Sequence, residues 1–180
     1  MDDAERFRRI YEQHYDAVHA FALRRLRDRD LAGDVTSEVF LVAWRRLSDV
    51  PRHPRPWLYG VARNVVMATH RALPPMSTLL DDIAVASLDP SPEDRYEQLE
   101  DLRRVAKAMD ALSETDREAL LLAAWEGLSV LDLAQALQCS RSAAAVRLHR
   151  ARTRLRAHLE RPVAARTTAH RPAAITGEKP

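Results

Sequence analysis

Apolar side chains recur along this chain at a helical beat, with no convincing alternating run of the kind a strand would need. Between Ala4 and Leu26 the stripe is Phe7, Ile10, Tyr11, His14/Tyr15, Val18, Phe21/Ala22 and Arg25/Leu26. That spacing predicts a helix burying one face and leaving Arg6, Arg9, Glu12, Asp16 and Arg24 outside. A second helix is expected from about Asp30, read as its N-cap, to Leu47, with Leu31, Val35, Val39, Leu41, Val42 and Trp44 apolar. Phe40 and Trp44, spaced along that helix, read as core. The stretch Ser48–Pro56 contains three prolines, each lacking a donor and restricting the residue before it, so a stiff basic loop is expected there. Pro56-Trp57 then suits a helix start, because proline is tolerated in the first turn, and the pattern carries on to about Ala72.

From Leu73 to Pro92 the periodicity stops among Pro74-Pro75, Asp81-Asp82 and Asp89-Pro90-Ser91-Pro92. This composition predicts a flexible, acidic, solvated linker, whose 20 residues would span at most roughly 70 Å when extended. Helical patterning resumes over Glu93–Leu112. Ser113-Glu114-Thr115-Asp116 looks like a capping-box start for a helix to Trp125, and Gly127 is placed to take a left-handed conformation after it. A short helix Ser129–Leu137, a turn Gln138–Ser140 and a longer helix Arg141–Leu159 have the layout of a helix-turn-helix unit. Leu133, Ala134 and Leu137 are expected to face inward and to meet Val146 with Leu148 or Ala151. The fold class that follows is all-α: a helical domain over 1–72, a linker over 73–92, a helix-turn-helix domain over 93–160, and a disordered basic tail over 161–180.

Composition sharpens this picture. With 46% hydrophobic and 30% charged residues and only four glycines in 180, the chain suits helical globular domains. The net charge of +2 conceals an uneven distribution. Residues 1–72 carry +3, residues 73–102 carry −7, and residues 103–160 and 161–180 carry +3 each. The helix from Arg141 to Leu159 has arginines at 141, 147, 150, 152, 154 and 156 and no acidic residue, where a merely solvated face usually mixes signs. Such a helix suits a polyanion: residues at its N-terminus would read base edges in a groove and arginines further along would meet phosphates.

Several functions are disfavoured. The lone Cys139 supplies neither an internal disulfide nor a cysteine-based metal site, and the seven histidines fall in no ligand spacing. No phosphate-cradling glycine loop is present, so no catalytic residues, metal or cofactor are assigned. The acidic start lacks a signal core, and no apolar window is long enough to span a membrane, so a cytoplasmic location without membrane insertion is expected.

Two separated stretches carry a family resemblance. Leu112–Glu118, Glu126-Gly127-Leu128-Ser129 and Val146–Leu155 resemble region 4 of the extracytoplasmic-function (ECF) RNA polymerase sigma factors. Asp34–Trp44 and Pro56–Asn64 are similar to region 2 of the same family. The resemblance implies a factor that directs promoter-specific initiation by recognising −35 and −10 elements and helping to melt the latter. Its implied partners are core RNA polymerase, through clamp and flap, promoter DNA, and an anti-sigma factor. For the clamp it points to Asp34, Glu38 and Leu41, which share a helical face. The flap would receive apolar residues of the helix 113–125. For the −10 element it points to Arg52, His53, Arg55, Arg63 and Asn64, around a loop that accepts an extruded base. Trp57 is expected to pack rather than to stack on DNA. For the −35 element the candidates are Arg141, Ser142, Ala145, Arg147 and Arg150. The run Ala143-Ala144-Ala145 is less polar than relatives carry there, so readout would lean on DNA shape and phosphate contacts.

A conventional helix-turn-helix regulator acting on duplex DNA without polymerase would account for residues 113–160 but leave Asp34–Trp44 and Pro56–Asn64 unexplained. An anti-sigma or adaptor protein would bind polymerase or sigma factor without promoter contacts.

Overall fold

The computed structural model describes residues 2–69 and 92–160. The expected linker, apart from Pro92, and the expected tail lie outside the described residues. Helix α1 spans Asp3–Leu26 and closes on Arg27, whose left-handed backbone (φ 57°) lets its N–H reach the Leu23 carbonyl. Helix α2, Arg29–Arg45, is capped by Asp28, whose carboxylate accepts from the backbone N–H groups of Asp30 and Leu31. The cap is therefore Asp28 and not Asp30. Asp30 instead lies in the first turn, where a negative charge meets the positive end of the helix. A 3-10 turn, Leu47–Asp49, leads into the loop before α3, Pro54–Thr69. Both Pro54 and Pro56 fall within the first turn of α3, where backbone N–H groups have no intrahelical acceptor to lose, so the helix begins two residues before the expected Pro56.

These three helices enclose Val18, Phe21, Ala22, Val35, Val39, Phe40, Leu58, Tyr59, Ala62 and Val66, each at most 2% exposed. Phe21 stacks on Tyr59 with ring centroids 5.2 Å apart. Trp57 is half-buried and packed against this core. Two residues read as solvated are not. Arg6 donates to the carbonyls of Leu47 (2.9 Å) and Val50 (2.5 Å), tying α1 to the loop before α3. Arg24 is half-buried in an ion pair described below. Trp44 departs the other way: it is 47% exposed at one end of an aromatic seam, whereas Phe40 is core as expected.

The second group is α4 (Pro92–Asp110), α5 (Glu114–Ala124), α6 (Val130–Ala136) and α7 (Arg141–Glu160). Ser113 caps α5 by accepting from the Asp116 N–H. Gly127, at φ 66°, makes the turn after it. Ser129 and Asp132 form a reciprocal capping box at the start of α6. Gln138 adopts a left-handed conformation (φ 51°), and the Cys139 N–H donates to the Ala134 carbonyl, closing the tight turn into α7. The core between α6 and α7 is Leu133 and Ala134 against Ala144, Leu148 and Ala151. Val146 does not join it and is 61% exposed, because the buried stripe of α7 runs through 144, 148, 151 and 155 and places 146 on the opposite side.

The two groups pack together through α3 and α6. At their closest approach a Cβ added to Gly60 would lie 3.0 Å from the Ala136 carbonyl oxygen, so only glycine lets the helices come this near.

Candidate nucleic-acid interface

On α7, Arg141, Ser142 and Ala145 are exposed and Arg147 is half-buried on one flank. Ser140 precedes them as a cap, its hydroxyl accepting from the Ala143 N–H (3.1 Å) and lying 3.0 Å from the Ser142 hydroxyl. The N-terminus of α7 thus projects into solvent with two hydroxyls and one guanidinium at its tip, the geometry for entering a groove. Arg150 is placed differently. Its Nε and Nη2 donate to both carboxylate oxygens of Asp116, at 2.6–3.1 Å, and Arg154 Nη1 adds a further bond at 2.9 Å. The Arg150 hydrogen bonds hold the Asp116 carboxyl below the usual carboxylate range against the opposing effect of burial.

Around the loop before α3, Arg52 and His53 are exposed. Arg52, with Arg6, Arg9, Ile10, Gln13, Pro51 and Pro54, lines a concavity of about 440 Å³. Asn64 is exposed and Arg63 half-buried on α3, where Arg63 Nη1 lies 3.4 Å from Asn64 Oδ1. Arg55 is turned toward the other helical group: its Nη2 donates to the Glu126 carbonyl (2.8 Å) and its Nε to Tyr59 Oη (3.3 Å). Of the five residues assigned by sequence to the −10 element, Arg52 and His53 lie together at the loop, Arg63 and Asn64 a few turns along α3, and Arg55 at the junction between the two helical groups.

Asp34, Glu38 and Leu41 are all exposed along one face of α2. Sequence reasoning missed the surface that continues from them. Trp44, one turn beyond Leu41, packs edge-on against Phe7 with centroids 5.1 Å apart. With Ala4, Arg8, Tyr11 and Glu12 these rings line a shallow apolar groove of about 550 Å³. The signal was available: Leu41 and Trp44 are three apart, hence on one face. The helix expected to offer apolar residues to the flap keeps Ala119, Leu120, Leu121 and Leu122 covered within the chain, and Trp125 is its exposed aromatic residue.

The junction between the groups is built on buried charge. Arg25, 4% exposed, donates to Glu118 Oε1 at 2.9 Å and approaches Glu126 Oε1 at 3.7 Å. Arg24 pairs with the same Glu126 oxygen at 2.6 Å. Arg25 also lies over the Phe21 ring, 3.5 Å from its centroid. Burial is the main cause that raises the Tyr59 phenol above its usual range, and Glu126 adds to it against the effect of the Arg55 hydrogen bond. Burial, reinforced by Arg55, lowers His14. The ion pairs were invisible in sequence because the partners in each are separated by 93 or more residues.

Among the described residues no helix is long and apolar enough to cross a membrane. Residues 10–73 match the Sigma-70 region 2 family and residues 102–155 match Sigma-70, region 4. The ferric citrate uptake sigma factor FecI of Escherichia coli K12 is 30% identical over 138 residues, covering 74% of this chain and 79% of that protein. An ECF RNA polymerase sigma factor SigK from a Mycobacterium species is 28% identical, covering 77% of this chain and 75% of that protein. The probable RNA polymerase sigma factor RfaY of Xanthomonas campestris is 35% identical over 159 residues, but this chain spans only 40% of its length. Among solved structures, the sigma factor RpoE bound to the anti-sigma factor NepR, from Bartonella quintana, aligns with a TM-score of 0.55 and 25% identity, over 87% of this chain and 98% of that one. With both family regions in order on an all-helical fold, the chain belongs to the ECF RNA polymerase sigma factors.

Proposed function

We propose that this chain acts in the cytoplasm as a non-enzymatic specificity subunit that binds core RNA polymerase and directs initiation at promoters carrying its −35 and −10 elements. The observation that carries this reading is the pairing of the two sigma-factor regions, 10–73 and 102–155, in one chain. A conventional regulator needs only the second. Residues 1–72 would form the unit engaging polymerase and the −10 element, 93–160 the unit engaging the −35 element, with 73–92 connecting them.

On this reading Asp34, Glu38 and Leu41 dock on the polymerase clamp, and Trp44 extends that surface. Arg52 and His53 hold the DNA backbone at the concavity beside Arg6, into which an extruded base fits. Extrusion costs a few kcal/mol, which contacts inside the pocket must offset. Arg63, Asn64 and Arg55 contribute further contacts along α3. Arg141, Ser142, Ala145 and Arg147 meet the −35 element, with Arg150 on the flank of the same helix. The flap contacts the second helical group. An anti-sigma factor is the expected inhibitory partner, in keeping with the RpoE complex.

The test is run-off transcription by purified core polymerase on a pooled promoter library, with and without this protein. Discrete start sites that depend on it are expected. Tight binding to duplex DNA by the protein alone, with no initiation, would move the assignment to a conventional regulator.

A further inference from the structure

The arginines of α7 fall into two classes. Arg150 and Arg154, one turn apart, both close on the carboxylate of Asp116, which is wholly buried although the two guanidinium groups remain 43% and 51% exposed. Among the described residues, Arg141, Arg147, Arg152 and Arg156 on the same helix make no ion pair. Asp116 is a residue of the first turn of α5, fixed there by the Ser113 cap. Three hydrogen bonds from Arg150 and one from Arg154 therefore tie the middle of the DNA-reading helix to the start of its neighbour.

We infer that Asp116 is a positioning and specificity-determining residue for −35 recognition: it fixes the tilt of α7 and withholds Arg150 and Arg154 from the DNA backbone. The inference rests on the reading of α7 as the −35 helix. Phosphate contacts are sequence-independent, and every arginine added to them strengthens binding to any duplex. A half-exposed arginine on the flank of a groove-binding helix would add such a contact. Held bidentately by a carboxylate, the Arg150 fork is already occupied, and Arg154 is drawn to the same anion. Discrimination is left to the N-terminal residues Arg141, Ser142 and Arg147.

The measurement is holoenzyme binding to two labelled duplexes across a salt series. One carries a −35 element selected from a random pool by the wild-type holoenzyme, the other a scrambled −35. Each phosphate contact contributes about 0.9 to the slope of log affinity against log salt, so Asp116→Asn is expected to steepen that slope by about one to two. Its preference for the selected duplex is expected to fall about three- to tenfold, because the freed arginines strengthen both duplexes alike while the released tilt of α7 costs contacts that only the selected one makes. A merely structural tie would weaken binding without steepening the slope. Arg154→Gln leaves the Arg150 pair in place and keeps the test decisive if Asp116→Asn does not fold. It is expected to keep the wild-type slope. A folded Asp116→Asn with unchanged slope and preference, or an Arg154→Gln slope shallower by about one, overturns the inference. A wild-type holoenzyme that does not distinguish the duplexes overturns the −35 reading itself, and shows this before any variant is made.

Discussion

Arg25 Nη2 lies 2.9 Å from Glu118 Oε1 across 93 residues of sequence, with both side chains closed off from solvent. It joins the first helical group to the second through a buried charge pair, which makes the junction sensitive to single substitutions. Removing one partner strands the other as an uncompensated buried charge, at about 3–5 kcal/mol. Arg25→Ala is therefore expected to lower stability by that amount in urea titration. Replacing both partners, as Arg25→Met with Glu118→Leu, is expected to recover most of it, since an apolar pair of similar volume avoids the desolvation cost. A double variant as unstable as the single one would show that the charges themselves are required.

Gly60 offers a packing test of the same junction. Alanine there would bring its Cβ to 3.0 Å from the Ala136 carbonyl oxygen, a backbone atom with little room to give. Gly60→Ala is expected to push α3 and α6 apart at a cost of about 1–3 kcal/mol. Hydrogen exchange should show faster exchange in α6. Since alanine otherwise favours a helix interior, a variant more stable than wild type would contradict this packing.

The pH dependence has a definite sign. His14 is held below its ordinary value of about 6.5 by burial and by Arg55, so the unfolded chain binds that proton more readily. Stability from this group is complete above about pH 6.5 and falls as the pH drops through the lower folded value. Asp116, also lowered, keeps its contribution to more acidic conditions, losing it below about pH 4. Melting temperatures between pH 7.5 and 5 should decline, and His14→Gln should flatten that decline. Parallel curves for the two proteins would rule out His14 as its source.

The clamp-facing assignment is testable apart from DNA. Glu38→Lys and Trp44→Ala alter exposed side chains. They are expected to weaken assembly with core polymerase about tenfold or more, as truncating a central contact does. The melting temperature of Glu38→Lys should stay close to wild type, and that of Trp44→Ala should fall only by the few degrees that its edge-on contact with Phe7 is worth. Unchanged affinity in both would place the polymerase surface elsewhere.

Among the described residues, helix number, order and most boundaries were legible in sequence because they follow from local rules: the 3.6-residue stripe, the Ser113 and Ser129 caps, and the glycine at 127. The errors arose where local rules compete or do not reach. Asp28 and Asp30 are both competent caps, and only the geometry shows which carboxylate meets the N–H groups. Val146 reads as inward from sequence because one apolar residue among alanines near a helix start fits two faces until its partners are placed. Arg6 and Arg24 are an extreme case: nothing near them in sequence reveals that their acceptors lie on distant segments. The same holds for Arg150, readable as a cation on a basic helix but not as the partner of Asp116.

The bond from Arg55 to the Glu126 carbonyl has a thermodynamic consequence for promoter binding. Two of the guanidinium nitrogens are engaged there, so a −10 complex in which Arg55 turns fully to the DNA forms from molecules in which this bond has opened. The apparent dissociation constant then equals the intrinsic one divided by the open fraction. With about one molecule in a hundred open, promoter affinity is reduced about a hundredfold, near 2.7 kcal/mol. Whatever favours the open population, core polymerase included, raises affinity by the same factor without adding a contact to DNA.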